Sequence, residues 1–227
     1  MHILHCSDFH GYEPWFRWLA ACSADYDLVC VTGDHLDLAD YRSIDTQIAM
    51  VRTAYERLVS PAALISGNND SFNAEGSPLW LLHAKWLADL RRPGLWVDGD
   101  EFELGGIRFR CVGWNAPTFA ATGGEVWLHH APPARSPLSI GPLGDDVGDE
   151  MLGELCRAGA GPAMVLAGHQ HEPRHWLWHI GRTWVLNPGR GCHVSVPNHI
   201  VIDTDQRTVA LHRGGEPVVQ VHVGYPA

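Results

Sequence analysis

Short apolar runs recur along this chain, and six of them stop abruptly at a polar motif. The first run, from His2 to Ser7, reads as a strand, and Pro14 then opens a helix whose apolar face is Trp15, Trp18, Leu19 and Cys22. A buried-type strand follows from Asp27 to Thr32. From Ser43 to Val59 the residues Ile44, Ile48, Val51, Tyr55 and Leu58 fall at helical spacing, and Pro61 stops that helix. Ala62 to Ser66 is a third strand. Ser77-Pro78 has the form of an N-cap with proline in the first turn, with Leu79, Leu82, Trp86 and Leu90 on one face and Pro93-Gly94 at the end.

The middle of the chain changes character. The stretches from Trp96 to Leu104 and from Ile107 to Val112 read as two strands joined at Gly105-Gly106, a hairpin signal. Val126 to His129 is a strand, and residues 131–144 form a loop rich in Pro, Gly and Ser. Asp146 to Ala158 reads as a helix with Val147, Met151, Leu152 and Leu155 inward, closed by Gly159. Further strands run from Ala163 to Ala167, Trp176 to Trp178, Thr183 to Leu186, His199 to Asp203 and Thr208 to His212, the last two joined by a turn at Thr204 to Arg207. Strands that alternate with helices early and pair through hairpins later imply an α/β fold with a mixed sheet or two packed sheets. With no repeat, linker or composition break, residues 1–227 read as a single domain.

Composition narrows the function classes. Of 227 residues, 45% are hydrophobic and 19% charged, the balance of a globular protein. A formal net charge of -10 argues against long nucleic acid as a partner, since that needs a basic face. Bound metals reverse a local field, so a small anionic substrate remains compatible. The six cysteines form no C-x-x-C pair and lie largely in apolar runs, which points to reduced thiols and a cytoplasmic setting. The N-terminal residues lack the basic-then-apolar plan of a signal peptide, and no apolar stretch approaches the ~20 residues of a membrane span.

Five of the six terminal motifs are built from metal-ligand residue types: Asp8-Phe9-His10, Gly33-Asp34, Gly67-Asn68-Asn69-Asp70, His129-His130-Ala131-Pro132 and Gly168-His169-Gln170-His171. The sixth is Asn187-Pro188-Gly189. Side chains at the carboxyl ends of neighbouring strands converge on one cleft, where Asp, Asn and His can hold divalent metals. Residues two apart in extended backbone point the same way, so Asp8 and His10 can both grip one cation, and His169 and His171 repeat the two-apart spacing. Each motif also has an ordinary reading: a helix cap with an exposed His, a Gly-Asp turn, a polar turn at residues 67–70. Adjacent side chains on a strand face opposite ways, so at most one of His129 and His130 meets the cleft. Their occurrence together, each where an apolar run stops, is what favours a metal site. Asp37 reads more simply as a cap or solvated residue.

The ordered set D-x-H, G-D, G-N, H-x-P and G-H-x-H resembles the calcineurin-like metallophosphoesterase superfamily, over roughly Ile3 to Gly189. The resemblance implies two β-sheets packed face to face with helices outside. It also implies that Asp8, His10 and His171 hold one metal, that Asn68, His130 and His169 hold the other, and that Asp34 bridges them. His130 is preferred to His129 because it precedes Pro132 by two residues, as the family histidine does. One position departs from the pattern. Where the family often has a His after the Asn, this chain has Asn69, which can donate a hydrogen bond to a phosphoryl oxygen but is no general acid near neutral pH.

The expected activity is hydrolysis of a small phosphate ester, a diester in preference to a simple monoester, with Asp34 and Asn69 as the catalytic residues beside two divalent metals. Manganese is foremost, and Fe, Zn, Ni and Co are also suited to imidazole-rich sites. The alternative is a weakly active or inactive metal-bearing scaffold of the same fold. Arg135 and Arg190 flank motif loops as possible anion contacts, and Trp114 is a candidate substrate wall.

Overall fold

The computed structural model describes residues 1–71, 84–117, 120–121, 123–191 and 194–224. Two sheets carry the strands. In the first, β1 (His2–Cys6), β2 (Leu28–Thr32), β3 (Ala62–Ile65) and β4 (Leu95–Trp96) lie parallel. β11 (His199–Asp203), β12 (Thr208–Arg213) and β13 (Glu216–His222) extend it antiparallel beyond β1, giving the order β13-β12-β11-β1-β2-β3-β4. The second contains β5 (Glu101–Leu104), β6 (Ile107–Val112), β7 (Val126–His129), β8 (Met164–Leu166), β9 (Leu177–Ile180) and β10 (Thr183–Leu186), ordered β5-β6-β7-β8-β10-β9. Strands β6, β7, β8 and β10 are parallel, with antiparallel β5 and β9 at the edges.

Two-residue alternation explains why the sheets stack. Ile3, Leu28, Cys30, Ala63 and Ile65 of the first sheet meet Phe109, Leu128, Met164, Leu166 and Leu186 of the second in one dry core. The intervening residues face outward: Leu4, Val29, Val31 and Leu64 pack under α1 (Glu13–Cys22) and α2 (Ile44–Glu56). On the far side, Trp127, Val165 and Val185 pack against Leu152 and Cys156 of α4 (Glu150–Arg157). Both faces of each central strand are therefore covered, which is why those strands read as continuous apolar runs. The result is the expected α/β sandwich of two mixed sheets flanked by helices.

Helix ends follow local chemistry. Ser43 caps α2, its hydroxyl accepting from the Thr46 amide at 3.2 Å, and Asp149 caps α4 by accepting from Leu152 at 2.7 Å. Several expectations need correction. The stretch from Trp96 to Leu104 is not one strand: β4 belongs to the first sheet, and a turn in which Asp100 accepts from the Val97 amide at 2.8 Å carries the chain to β5 in the second. The buried face of α4 is Leu152, Gly153 and Cys156, while Met151 is 57% exposed. On α1 the buried face is Trp15, Phe16 and Leu19, with Trp18 and Cys22 only partly covered. The first part of the helix expected from Ser77, up to residue 83, lies outside the described residues; the rest is only the short α3 (Lys85–Ala88), which stops before Pro93. β13 carries no strand signal in the sequence, being exposed along nearly its whole length. Among the described residues no helix is long and apolar enough to cross a membrane, and Cys6, Cys22, Cys30, Cys111 and Cys156 are free thiols.

Candidate metal centre

The motifs follow β1, β2, β3, β7, β8 and β10, all at the carboxyl ends of parallel strands, and their loops are laced to one another. The Asp8 and His10 amides donate to the Gly33 and Asp34 carbonyls at 3.1 and 2.8 Å. The Gly168 amide donates to the His130 carbonyl at 2.8 Å. Asp70 accepts from the Gly67 amide at 2.8 Å and the Leu36 amide at 3.0 Å, tying the third loop to the second. Burial, reinforced by the Asp34 charge, raises the Asp70 carboxyl to about 8.

Backbone conformation, not strand alternation, aims the ligands. Asp8, His10, Asp34 and His169 all sit at positive φ (59°, 45°, 51° and 64°), a region that non-glycine residues rarely occupy and that costs on the order of 1–3 kcal/mol each. The pairing of Asp8 with His10 thus arises from a tight left-handed turn, and the extended-backbone argument for it is wrong. Glycine is required beside these turns. A Cβ on Gly67 would strike Asp34, and one on Gly168 would strike Ser7 and lie 2.6 Å from Asp8 Oδ2.

Two groups of potential ligands result. In the first, His10 Nε2 and His171 Nε2 are 3.0 Å apart, His171 Nε2 is 3.5 Å from Asp8 Oδ1, and His10 Nε2 is 3.5 Å from Asp34 Oδ2. In the second, Asp34 is joined by His130 and His169. His130 Nε2 is 3.4 Å from Asp34 Oδ1 and 3.2 Å from Asn68 Oδ1. Asp34 is the residue common to both groups, and it turns one carboxylate oxygen toward each. Asn69 fixes that orientation, its amide donating to Oδ1 at 2.8 Å and its side-chain nitrogen to Oδ2 at 2.7 Å.

The donor set suits divalent cations. His130 Nδ1 lies 2.7 Å from the Thr32 carbonyl and donates to it, which leaves Nε2 facing two oxygen acceptors with no donor among them except a proton or a metal. Burial disfavours charge on His130, yet Asp34 and Asp8 outweigh it and hold the imidazole up at about 9. Burial would raise the Asp34 carboxyl, but His130 overcomes this and holds it below its ordinary value. Burial, helped by His130, drives His169 down to about 4. Carboxylates held in charged form beside imidazoles are donor types that divalent cations take.

A model of the calcineurin-like phosphoesterase family matches residues 1–173. The chain belongs to that family. Among solved structures, TT1561 of Thermus thermophilus is similar with a TM-score of 0.63 at 16% identity, covering 94% of this chain and 98% of that one. Yfce, a phosphoesterase from E. coli, gives a TM-score of 0.50 at 13% identity over 99% of this chain and 100% of that one. Purple acid phosphatase PPD1 from yellow lupin seeds gives 0.60 at 12% identity, covering 97% of this chain and 53% of that one. At these identities the likeness is one of fold. A search of curated proteins gave no match.

Around this cluster the remaining candidates separate. Trp114 packs against it, its ring centroid 5.6 Å from His130 and 5.5 Å from His169. His129 turns away from the ligand groups toward Asp149, and its Nδ1 lies 2.8 Å from the Ala131 carbonyl. Arg135 does not join the site: it is ion-paired with Glu150 and Glu154 of α4. Arg190 does approach, its amide donating to the His171 carbonyl at 2.8 Å. Sequence reasoning missed Thr32, whose carbonyl orients His130; a main-chain contact leaves no signal in side-chain pattern.

Proposed function

We propose that this calcineurin-like phosphoesterase hydrolyses a small phosphate ester with two divalent cations, and that the observation carrying this reading is the placement of Asp34 between the two ligand groups. Asp8, His10 and His171 would hold one cation, Asn68, His130 and His169 the other, and Asp34 both. When bound, the cations supply a Lewis-acidic pair that polarises phosphoryl oxygens and acidifies water. The chain's own groups keep that chemistry in place. Thr32 fixes the His130 tautomer, Asn69 fixes both oxygens of Asp34, and Trp114 packs its ring against His130 and His169.

The reading favours diesters and other substrates with good leaving groups. Asn69 stands where the family often has a histidine, and an amide does not protonate a departing alkoxide. Manganese is the first metal to test, with Fe, Zn, Ni and Co as alternatives. We further propose one domain over residues 1–227 and a cytoplasmic setting, in keeping with the free thiols among the described residues.

The test is hydrolysis of bis(p-nitrophenyl) phosphate with and without Mn²⁺, by wild type and by Asp34→Asn. Metal-dependent turnover that the variant loses supports the proposal. Equal rates in all four reactions would reject it.

A further inference from the structure

The turn after β10 carries an arginine that the chemistry above leaves unused. Asn187 clamps this turn to the ligand-bearing one: its side-chain amide donates to the Gly168 and Gln170 carbonyls at 2.8 and 3.1 Å, and its oxygen accepts from Gly189 at 2.8 Å. Gly189 has a left-handed φ of 67°, and a Cβ there would lie 2.8 Å from the His171 carbonyl. Only glycine lets the chain pass so close. The next residue, Arg190, is thereby delivered beside His171.

The arginine is braced rather than free. Its guanidinium lies over the buried Trp15 ring, 5.9 Å from the centroid, and the Trp15 indole N–H donates to the Val194 carbonyl at 2.8 Å. One ring thus supports two walls of an open groove of ≈ 430 Å³ that starts at His171 and reaches Arg213. The Arg190 Nε is buried with no hydrogen-bond partner. Among the described residues Arg17, Arg42, Arg52, Arg91, Arg108, Arg110, Arg135 and Arg157 are ion-paired, whereas Arg190 and Arg213, like Arg57, Arg92, Arg174, Arg182 and Arg207, have no carboxylate within ion-pair distance. Glu172, at the exposed rim, is the one carboxylate lining the groove. In a chain of net charge -10, two unpaired arginines in one groove beside the centre are a local reversal of sign. A buried donor without an acceptor is costly, and a guanidinium fork matches a planar or tetrahedral oxyanion. Burial chiefly depresses His10, Asp34 and Asp8 oppose it, and the Arg190 charge adds to the depression, so Arg190 is electrostatically within reach of the centre.

We propose that this groove is an anion subsite in which Arg190 and Arg213 hold a second oxyanion of the substrate, a carboxylate or phosphate on the part that lies outside the ligand cluster. The subsite rests on the phosphoesterase reading and narrows its substrate to esters that carry a further negative charge.

A set of p-nitrophenyl diesters with ω-carboxyalkyl chains of increasing length tests this, each compared with its primary carboxamide. Members of a pair share leaving group and size and differ by one charge. At the best chain length the carboxylate should exceed the amide in kcat/KM by roughly tenfold or more, as a charge-assisted hydrogen bond implies. That preference should fall toward unity in Arg190→Gln, be partly kept in Arg190→Lys and shrink in Arg213→Ala. No preference at any length in the wild type, or a preference that survives in both Arg190→Gln and Arg213→Ala, overturns the subsite. If neither member of any pair is hydrolysed, the phosphoesterase reading fails separately. The subsite is then decided by titrating inorganic phosphate into metal-free protein and following the Arg190 Nε–H signal by NMR, assigned by its loss in Arg190→Gln. A saturable shift weakened by Arg213→Ala supports the subsite, and no shift overturns it.

Discussion

His10 and His171 bring their Nε2 atoms to 3.0 Å from each other although 161 residues separate them. The contact joins the loop after β1 to the loop after β8, one from each sheet, so the centre forms only when the two sheets pack. Asp8 and Asp34 crowd the same point. Asp8, His10, Asp34 and His171 are four groups that could together hold a cation there. Asp34, which also faces His130, is the position where one change disturbs both groups. Asp34→Asn is expected to lower kcat/KM on bis(p-nitrophenyl) phosphate by more than roughly 100-fold, since even residues that only orient ligands cost up to that much. Circular dichroism should show the fold retained.

Asn69 donates to both oxygens of Asp34 and offers no acidic proton. Replacing it by histidine supplies a titratable donor at the same place. Asn69→His is expected to raise turnover of alkyl phosphate monoesters relative to aryl diesters, measured as the ratio of the two kcat/KM values. Wild-type protein that already hydrolyses both at similar rates contradicts the leaving-group argument.

His35 is fully buried, with Nε2 donating to the Ile65 carbonyl at 2.9 Å and Nδ1 accepting from Tyr55. Burial lowers it from 6.5 to about 4. A histidine depressed by folding binds fewer protons in the folded chain than in the unfolded one. Its stabilising contribution is complete above 6.5 and is lost as pH falls from 6.5 through 4. By pH 5 the loss from His35 alone is about 2 kcal/mol. Urea unfolding of metal-free protein at pH 7.5 and pH 5 should show a smaller acid loss for His35→Gln than for wild type, by about that amount.

Gly168 precedes the His169 turn with no room for a side chain. A methyl there meets Ser7 and Asp8. Gly168→Ala is expected to destabilise the protein by about 1–3 kcal/mol, the usual cost of overpacking, and to reduce metal-dependent hydrolysis along with it. Thermal denaturation measures the first effect. An unchanged midpoint would contradict the close approach.

Much of this architecture is legible in the sequence because parallel strands covered on both faces are written as plain apolar runs. That is why β1, β2, β3, β7, β8 and β10, and the motifs that end them, stand out. β13 does not, because it is exposed along almost its whole length, so neither face is marked by burial, and Pro217 suits an edge strand but argues against a central one. The run from Trp96 to Leu104 misleads because a single apolar pattern is shared between two sheets. At the centre, residue types and order are readable, but the mechanism of convergence is not. The positive φ of Asp8, His10, Asp34 and His169 is imposed by hydrogen bonds between loops, such as His10 to the Asp34 carbonyl, that have no counterpart in local sequence. Arg135 and Arg190 look alike in sequence, and only the ion pairs of the first and the indole beneath the second tell them apart.

The most direct test is the number of Mn²⁺ ions bound per chain, measured by equilibrium dialysis of metal-stripped protein. Asp34 facing both ligand groups predicts two ions per chain in the wild type. Binding of none, or of only one, contradicts a centre built for a pair.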